Sequence, residues 1–297
     1  MSSIKSPERI IPTEEKNVTE KQTLYLVGTP IGNLADISER ALKVLSEVDF
    51  IAAEDTRASG KLLAYYGIKK PLISYFEHNK RERGEIIVSR IMAGESCALI
   101  TDAGMPAISD PGEDIVRLCA EKGVTVSVVP GPCAAVSALA MSGLFTAKFL
   151  FEGFLPTAKG DRREILTELR DQTRTVIFYE APHKLKRTLT DLFEAFGDRK
   201  ISLCRELTKI NEEVIRTTLS GAISYYEEHE PRGEYVLIME GASQNELKAH
   251  AFWADMSVEE HVSHYVSEGM SKNDAIKAVA RDRDVAKSEI YNQVMIK

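Results

Sequence analysis

Four short apolar runs in the first half of the chain each stop abruptly at a loop of glycine, proline or acidic residues, and a helical pattern follows each loop. The runs are TLYLV (23–27), FIAA (50–53), CALI (97–100) and VTVSVV (124–129). A continuous apolar run of this length suits a strand buried on both faces. Strands that alternate with helices belong to a mainly parallel sheet with helices packed against it. Ser38 is placed to cap a helix whose Ala41, Leu42, Leu45 and Val48 share one face. Further helices are expected near 59–66, stopped by Gly67, over 81–92, and over 113–122, where Gly123 ends the helix. The first half therefore predicts an α/β domain whose loops gather at one end of a parallel sheet.

The pattern restarts after residue 147. KFLFEGF is apolar and aromatic, TVIFYEAP reads as a strand, and Pro182 suits the first turn of a helix that buries Leu185, Leu189, Leu192, Phe193 and Phe196 before Gly197. ISLCREL, EEVIRTTL and GEYVLIME are three more strands with little helix between the first two, which predicts a sheet with antiparallel parts. Residues 241–249 read as a polar linker. Residues 257–297 read as three short helices, with capping-box spacing at Ser257/Glu260 and Ser271/Asp274 and a helix-turn-helix-like order. The expected division is a polar tail at 1–22, α/β domains at 23–146 and 147–242, and a helical extension at 250–297.

Charge and cysteine usage narrow the function classes. The 297 residues carry a formal net charge of -7, against the basic excess of a generic nucleic-acid-binding protein. Local basic groups remain at Lys69 and Lys70, at Lys80, Arg81 and Arg83, at Arg162 and Arg163, and at His183, Lys184, Lys186 and Arg187. Lys272, Lys277, Arg281, Arg283 and Lys287 add a basic C-terminal set. Cys97, Cys119, Cys133 and Cys204 form no C-x-x-C pair and lie in or beside apolar segments, so they read as core residues in a reducing compartment; no metal site is expected. The uncharged stretch 124–147 is interrupted by VPGP, which argues for strand, turn and helix, so no membrane span is expected. Residues 1–22 are polar and mixed in charge with no apolar core, so a tail is expected there and no secretory leader.

The loops carry the chemistry. VGTPIGNL (27–34) follows a strand but is not G-x-G-x-x-G. TDAGMPAISDPG (101–112) places Asp102 and Asp110 where a phosphate would be repelled. A cationic ligand, or a ribose whose hydroxyls donate to a carboxylate, fits better, and S-adenosylmethionine combines a sulfonium, an amino group and a ribose without phosphate. Asp102, at the strand end, reads as a ligand contact; Asp110 reads as a cap of its turn and of the helix that follows. In VPGPCAAVSALAMSG (129–143) the small Cys133, Ala134, Ala135 and Ser137 let an adenine or another helix approach closely.

GTPIGNL, AEDTR, EHN, TDAGMPAISDPG, VPGPCAAVSAL, FYEAPHK and RELTK occur in that order. Together they closely resemble the ribosomal RNA small-subunit methyltransferase I family of the tetrapyrrole-methylase-like superfamily, over residues 23–242. The C-terminal segment is similar to that family's helix-turn-helix extension. The resemblance implies two α/β domains with S-adenosylmethionine in the cleft between them, a cytoplasmic homodimer, and 16S rRNA or the small ribosomal subunit as partner. The activity implied is methylation of the ribose 2′-oxygen of a decoding-centre cytidine. It also implies cofactor contacts at Pro30, Asp102, Ala103, Gly104, Cys133, Ala134, Tyr179 and Glu180. Met105 departs from the motif, where a small polar residue is commoner.

Methyl transfer from a sulfonium is an in-line displacement that needs alignment and exclusion of water rather than a metal. AEDTR ends a strand, so Glu54 or Asp55 is expected to position the hydroxyl or take its proton, with Arg57 holding a phosphate. His78 and Asn79 in FEHN are expected to hydrogen-bond ribose or base edges. Glu77, Glu180 and Glu206 are further candidates for the base, and Arg205 with Glu206 reads equally as a structural ion pair. Two competing readings share the scaffold: a tetrapyrrole C-methyltransferase acting on a polyanionic macrocycle, and a cofactor-binding ribosome-assembly factor without turnover.

Overall fold

The computed structural model describes residues 18–295. The first 17 residues of the expected tail lie outside the described residues. Those just before the first strand are engaged: the Thr19 hydroxyl donates to Glu47 at 2.6 Å and Lys21 pairs with Asp49 at 2.5 Å.

Among the described residues, the first compact unit comprises 18–142, 203–214 and 233–236. Its sheet is built from β1 (Thr23–Val27), β2 (Phe50–Ala53), β3 (Leu72–Ser74), β4 (Cys97–Ile100) and β5 (Thr125–Val129) in the order β3-β2-β4-β1-β5. Every pairing in it is parallel. Side chains alternate between two cores, as the pleat requires. Tyr25, Val27, Ile51, Ala53, Ala98 and Ile100 face α1 (Glu39–Glu47) and α2 (Thr56–Tyr65). Leu24, Phe50, Ala52, Cys97 and Leu99 face α3 (Lys80–Met92) and α4 (Glu113–Lys122). The Ser38 side chain accepts from the Ala41 N–H and so caps α1 as expected. Helix α2 begins three residues earlier than its apolar pattern suggests, because Asp55 caps it through the Arg57 and Ala58 amides. A final helix, α5 (Ala134–Met141), follows β5.

Among the described residues, the second unit comprises 143–202, 215–232 and 237–295. β6 (Phe149–Phe154), α6 (Lys159–Glu168), β7 (Thr175–Glu180), α7 (Pro182–Phe196) and α8 (Leu219–Glu228) lie wholly in it, and β8 (Lys200–Arg205), β9 (Glu213–Thr218) and β10 (Tyr235–Met239) lie partly in it. The sheet order is β6-β7-β10-β8-β9, with β6 and β7 parallel and β6 at an edge. The chain thus changes unit at Gly143 rather than after residue 146, and it returns to the first unit twice.

Residues 241–249 are not simply a linker. They contain α9 (Gln244–His250), started by a capping box between Ser243 and Glu246. Glu246 also accepts from the Nε of Arg199 at 2.8 Å, and Arg199 is buried. A buried guanidinium requires an acidic partner, and α9 supplies it. The three expected C-terminal helices are present as α10 (Val258–Ser267), α11 (Lys272–Arg283) and α12 (Lys287–Met295), around a small core of Val262, Ala275, Ile276, Val279 and Ile290.

Candidate functional site

In a parallel sheet, loops leaving neighbouring strands on either side of a reversal of chain order open a crevice at the carboxyl ends. Strand β1 lies between β4 and β5, so the loops after these three strands meet there. Gly28 continues β1 and donates to Val129 O at 3.1 Å. Thr29 and Gly104 exchange backbone hydrogen bonds of 2.9 and 3.1 Å, which lace the first loop to the Asp102 loop. Gly28 and Gly131 touch through their backbones: a Cβ on Gly28 would lie 2.7 Å from Gly131 Cα, and one on Gly131 2.8 Å from Gly28 Cα. The Met105 sulfur fills the remaining space, 2.7 Å from the same built Cβ. Met105 therefore acts as packing over the glycine contact, which settles the side chain's role at that departure from the motif.

Three carboxylates on the loops after β2 and β4 act on one another: Glu54, Asp102 and Asp110. The Asp102 carboxylate accepts the Asp55 N–H at 3.2 Å, tying the β4 loop to the end of β2. Burial raises the pKa of Glu54, and the neighbouring Asp102 charge adds to the rise. Burial also pushes Asp110 up to about 6, reinforced by the Glu54 and Asp102 charges. Asp110 is thus not the helix cap it was expected to be: the N-cap of α4 is Gly112, with no side-chain cap. In a loop with left-handed backbone at Ala107 and Ser109, the Asp110 carboxyl instead hydrogen-bonds the Thr101 side chain and feels the Glu54 and Asp102 charges.

The remaining expected site residues divide by what they touch. Asp55 caps α2, its carboxylate accepting from Arg57 N at 2.8 Å and Ala58 N at 3.4 Å, and these bonds hold its pKa down. That leaves Glu54 as the freer carboxylate of AEDTR. The Arg57 side chain is 90% exposed, 3.5 Å from Asp55. His78 is exposed and packs edge-on against Phe76. Asn79 is used within its own loop: its Oδ1 accepts the Phe76 N–H at 2.8 Å and its Nδ2 donates to Ser74. Pro30 and Gly104 are buried, Ala103 is exposed beside Asp102, and Cys133 and Ala134 stand at the start of α5.

A cavity of about 410 Å³ adjoins Asp102, lined by Pro30, Gly32, Leu34, Ala58, Ser59, Leu62 and Tyr65 among others. Ser59 is 3% exposed, and its hydroxyl lacks a partner among the described residues. A buried hydroxyl left unpaired is costly, so this one marks a polar position that a ligand can satisfy.

Sequence reasoning missed what RELTK does. Thr208 Oγ1 and Leu207 O crowd Gly32, where a Cβ would meet them at 2.8 and 3.0 Å. The segment thus belongs to the first loop's surroundings in the first unit. Arg205 and Glu206 are not each other's ion pair. Glu206 binds Lys209 at 2.9 Å and accepts the Glu234 N–H at 2.9 Å, while Arg205 pairs with Glu213 at 3.4 Å. The left-handed backbone at Glu206 turns its side chain away from the strand line. These bonds lower the Glu206 pKa, which removes it as a base.

In the second unit, Tyr179 packs edge-on against Phe151 and Phe154 at 5.0 and 5.5 Å. Glu180 is 3% exposed and both oxygens are engaged, one by the Ala181 N–H at 2.8 Å and the other by the Thr188 hydroxyl. Its carboxylate is part of the unit's interior, and its backbone is what remains for a ligand.

Residues 23–223 match the family profile described as Tetrapyrrole (Corrin/Porphyrin) Methylases. Among solved structures, a diphthine synthase superposes with a TM-score of 0.59 at 14% identity, covering 76% of this chain and 93% of its own. A uroporphyrin-III-C-methyltransferase from Thermus thermophilus gives 0.54 at 19%, covering 74% and 94%. At those identities the likeness is one of fold: two α/β units of the tetrapyrrole methylase type. Closer in sequence are proteins named ribosomal RNA small subunit methyltransferase I. That of Halalkalibacterium halodurans is 47% identical over 92% of this chain and 94% of its own length. That of Bacillus subtilis is 46% identical over the same shares. That of Thermotoga maritima is 48% identical over 73% of this chain and 98% of its own length. The chain belongs to the ribosomal RNA small subunit methyltransferase I family.

Proposed function

We infer that this chain is an S-adenosylmethionine-dependent methyltransferase of small-subunit ribosomal RNA, acting on the ribose 2′-oxygen of a decoding-centre cytidine. The observation that carries the reading is that the Asp102 loop, laced to the first loop by the Thr29–Gly104 hydrogen bonds, is tied by its carboxylate to the end of β2, where the charges of Glu54, Asp102 and Asp110 act on one another. Mutually repelling carboxylates in a half-buried crevice disfavour a phosphate and favour a cation with ribose hydroxyls. S-adenosylmethionine fits that donor set, and when bound it supplies an electrophilic methyl group on a positively charged sulfur. Pro30, Asp102, Ala103, Gly104, Cys133 and Ala134 are proposed to hold it in the first unit. Tyr179 and the backbone at Glu180 are the proposed contacts from the second.

Glu54 is proposed to take the 2′-hydroxyl proton. Its raised pKa makes it a stronger base than an ordinary carboxylate, and Asp55 is committed to its helix. Arg57, being exposed, is available to a substrate phosphate. His78 is proposed to meet the RNA at the loop surface. A homodimer is proposed from the edge strand β6, whose Phe149 and Phe154 are exposed. No helix among the described residues is long and apolar enough to cross a membrane. The proposed rRNA substrate supports a cytoplasmic site of action.

The test is incubation of the protein with methyl-labelled S-adenosylmethionine and, separately, small ribosomal subunits, free 16S rRNA and a uroporphyrinoid. Label on a ribose of the RNA is expected. Label on the macrocycle would make the chain a tetrapyrrole C-methyltransferase, and cofactor binding with no transfer would make it an assembly factor.

A further inference from the structure

A groove of about 790 Å³ lies between α6 and α7 of the second unit. Lys159, Arg163 and Arg170 line one wall and Arg187 the other; Asp191 and Glu194 are the acidic lining residues. Asp191 is already matched, because the 5%-exposed Arg162 binds it at 2.5 Å and donates to Thr188 at 2.8 Å. Arg162 is therefore the floor that fixes α6 against α7, and its sequence neighbour Arg163 is part of the wall. Lys159, Arg163 and Arg170 have no acidic partner within ion-pair distance among the described residues.

Helix α6 and the turn after it sort their charges by face. Lys159, Arg163 and Arg170 are spaced by four and seven residues and share a face. Asp161, Glu164, Glu168 and Asp171 are spaced by three, four and three and share the opposite one. Lys159/Arg163, Asp161/Glu164, Glu164/Glu168 and Glu168/Asp171 are all like-charged neighbours, an arrangement that weakens a helix. A merely solvated helix gains by interleaving opposite charges; this one forgoes that and points its cations into a groove. It does so in a chain of net charge -7.

The C-terminal helices, the other basic candidate, spend three of their five cations internally. Lys277 binds Asp274 at 2.9 Å, Arg281 lies 3.5 Å from Asp282, and Arg283 donates to Met256 O at 2.6 Å, which leaves Lys272 and Lys287. The groove, by contrast, lies within the family-profile match at 23–223.

We propose that the α6–α7 groove docks the sugar-phosphate backbone of the RNA substrate, with Lys159, Arg163 and Arg170 neutralising phosphates, while Arg187, 3.6 Å from Asp191, is held on the facing wall. This rests on the reading of the chain as an rRNA methyltransferase. The test compares the full-length wild type with Arg163→Gln/Arg170→Gln and with the opposite-face control Glu164→Gln/Glu168→Gln. Binding to small ribosomal subunits and to free 16S rRNA is measured across a salt series, with S-adenosylmethionine affinity followed by calorimetry. The arginine variant is expected to lose roughly tenfold in RNA affinity and about 0.7–0.9 of salt slope per contact removed. The control and the cofactor affinity of both variants are expected to stay at wild-type values. Wild-type affinity and slope in the arginine variant, or an equal loss in the control, would overturn the proposal. If the wild type binds RNA but transfers no label, the functional reading fails while the groove is still judged by these slopes.

Discussion

Replacing Asp110 by Asn tests the carboxylate cluster directly. Asp110 titrates near 6 in the folded protein, against 3.8 for an ordinary aspartate. Between those values the folded state keeps a proton that the unfolded chain has released, so folding stability falls as pH rises from about 4 to about 6. Below the window both states are protonated, and above it both are ionised, so the penalty then stays constant. Two pH units correspond to about 3 kcal/mol as an upper bound. The carboxyl is only half-buried, so solvent screening reduces this to about 1–2 kcal/mol. Asparagine is neutral throughout. In urea unfolding, Asp110→Asn should therefore gain about 1–2 kcal/mol relative to wild type between pH 4 and pH 7, as a widening gap that levels off above pH 6. A gap that stays flat over that range would mean that Asp110 ionises normally and does not face Glu54 and Asp102, and the proposed electrostatics of the crevice would fail with it.

Glu54→Gln should lower the rate of label transfer to RNA by about 10²–10⁴-fold while leaving cofactor affinity within a few-fold, read by single-turnover kinetics and calorimetry. Asp55→Asn should keep most of the activity, since Asn also caps a helix, and its melting temperature should stay near wild type. Gly131→Ala forces a Cβ to 2.8 Å from Gly28 Cα; it should cost about 1–3 kcal/mol in urea unfolding and weaken cofactor binding in parallel. Arg199→Met should raise the hydrogen exchange of α9 amides well above wild type, because Glu246 loses its partner at 2.8 Å.

Much of the frame was legible because its causes are local. Buried strands betray themselves by apolar runs, and α1 and α4 by Ser38 and Gly123 at their ends. The crevice loops were legible as chemistry because carboxylates repel phosphates wherever they stand. What escaped was set at longer range. The environment of Asp110 depends on Glu54, 56 positions away in sequence, and on two left-handed residues that no pattern marks. Helix α9 carried a legible Ser243/Glu246 box, but its polar composition hid it, and its anchor Arg199 lies on another element. The adjacent Arg162 and Arg163 look equivalent as letters, yet one faces Asp191 in the interior and the other the groove.

By itself the sequence determined the alternation of strand and helix and the restart of that pattern in the second half, since each follows from periodicity, capping and charge within a dozen residues. Only the tertiary structure decided which carboxylates share a crevice, which segment covers Gly32 and which arginine is free. Those depend on β4 lying between β1 and β2 and on residues 203–214 returning to the first unit. Contacts between distant segments are selected by the packing of the whole core, and no local pattern encodes them.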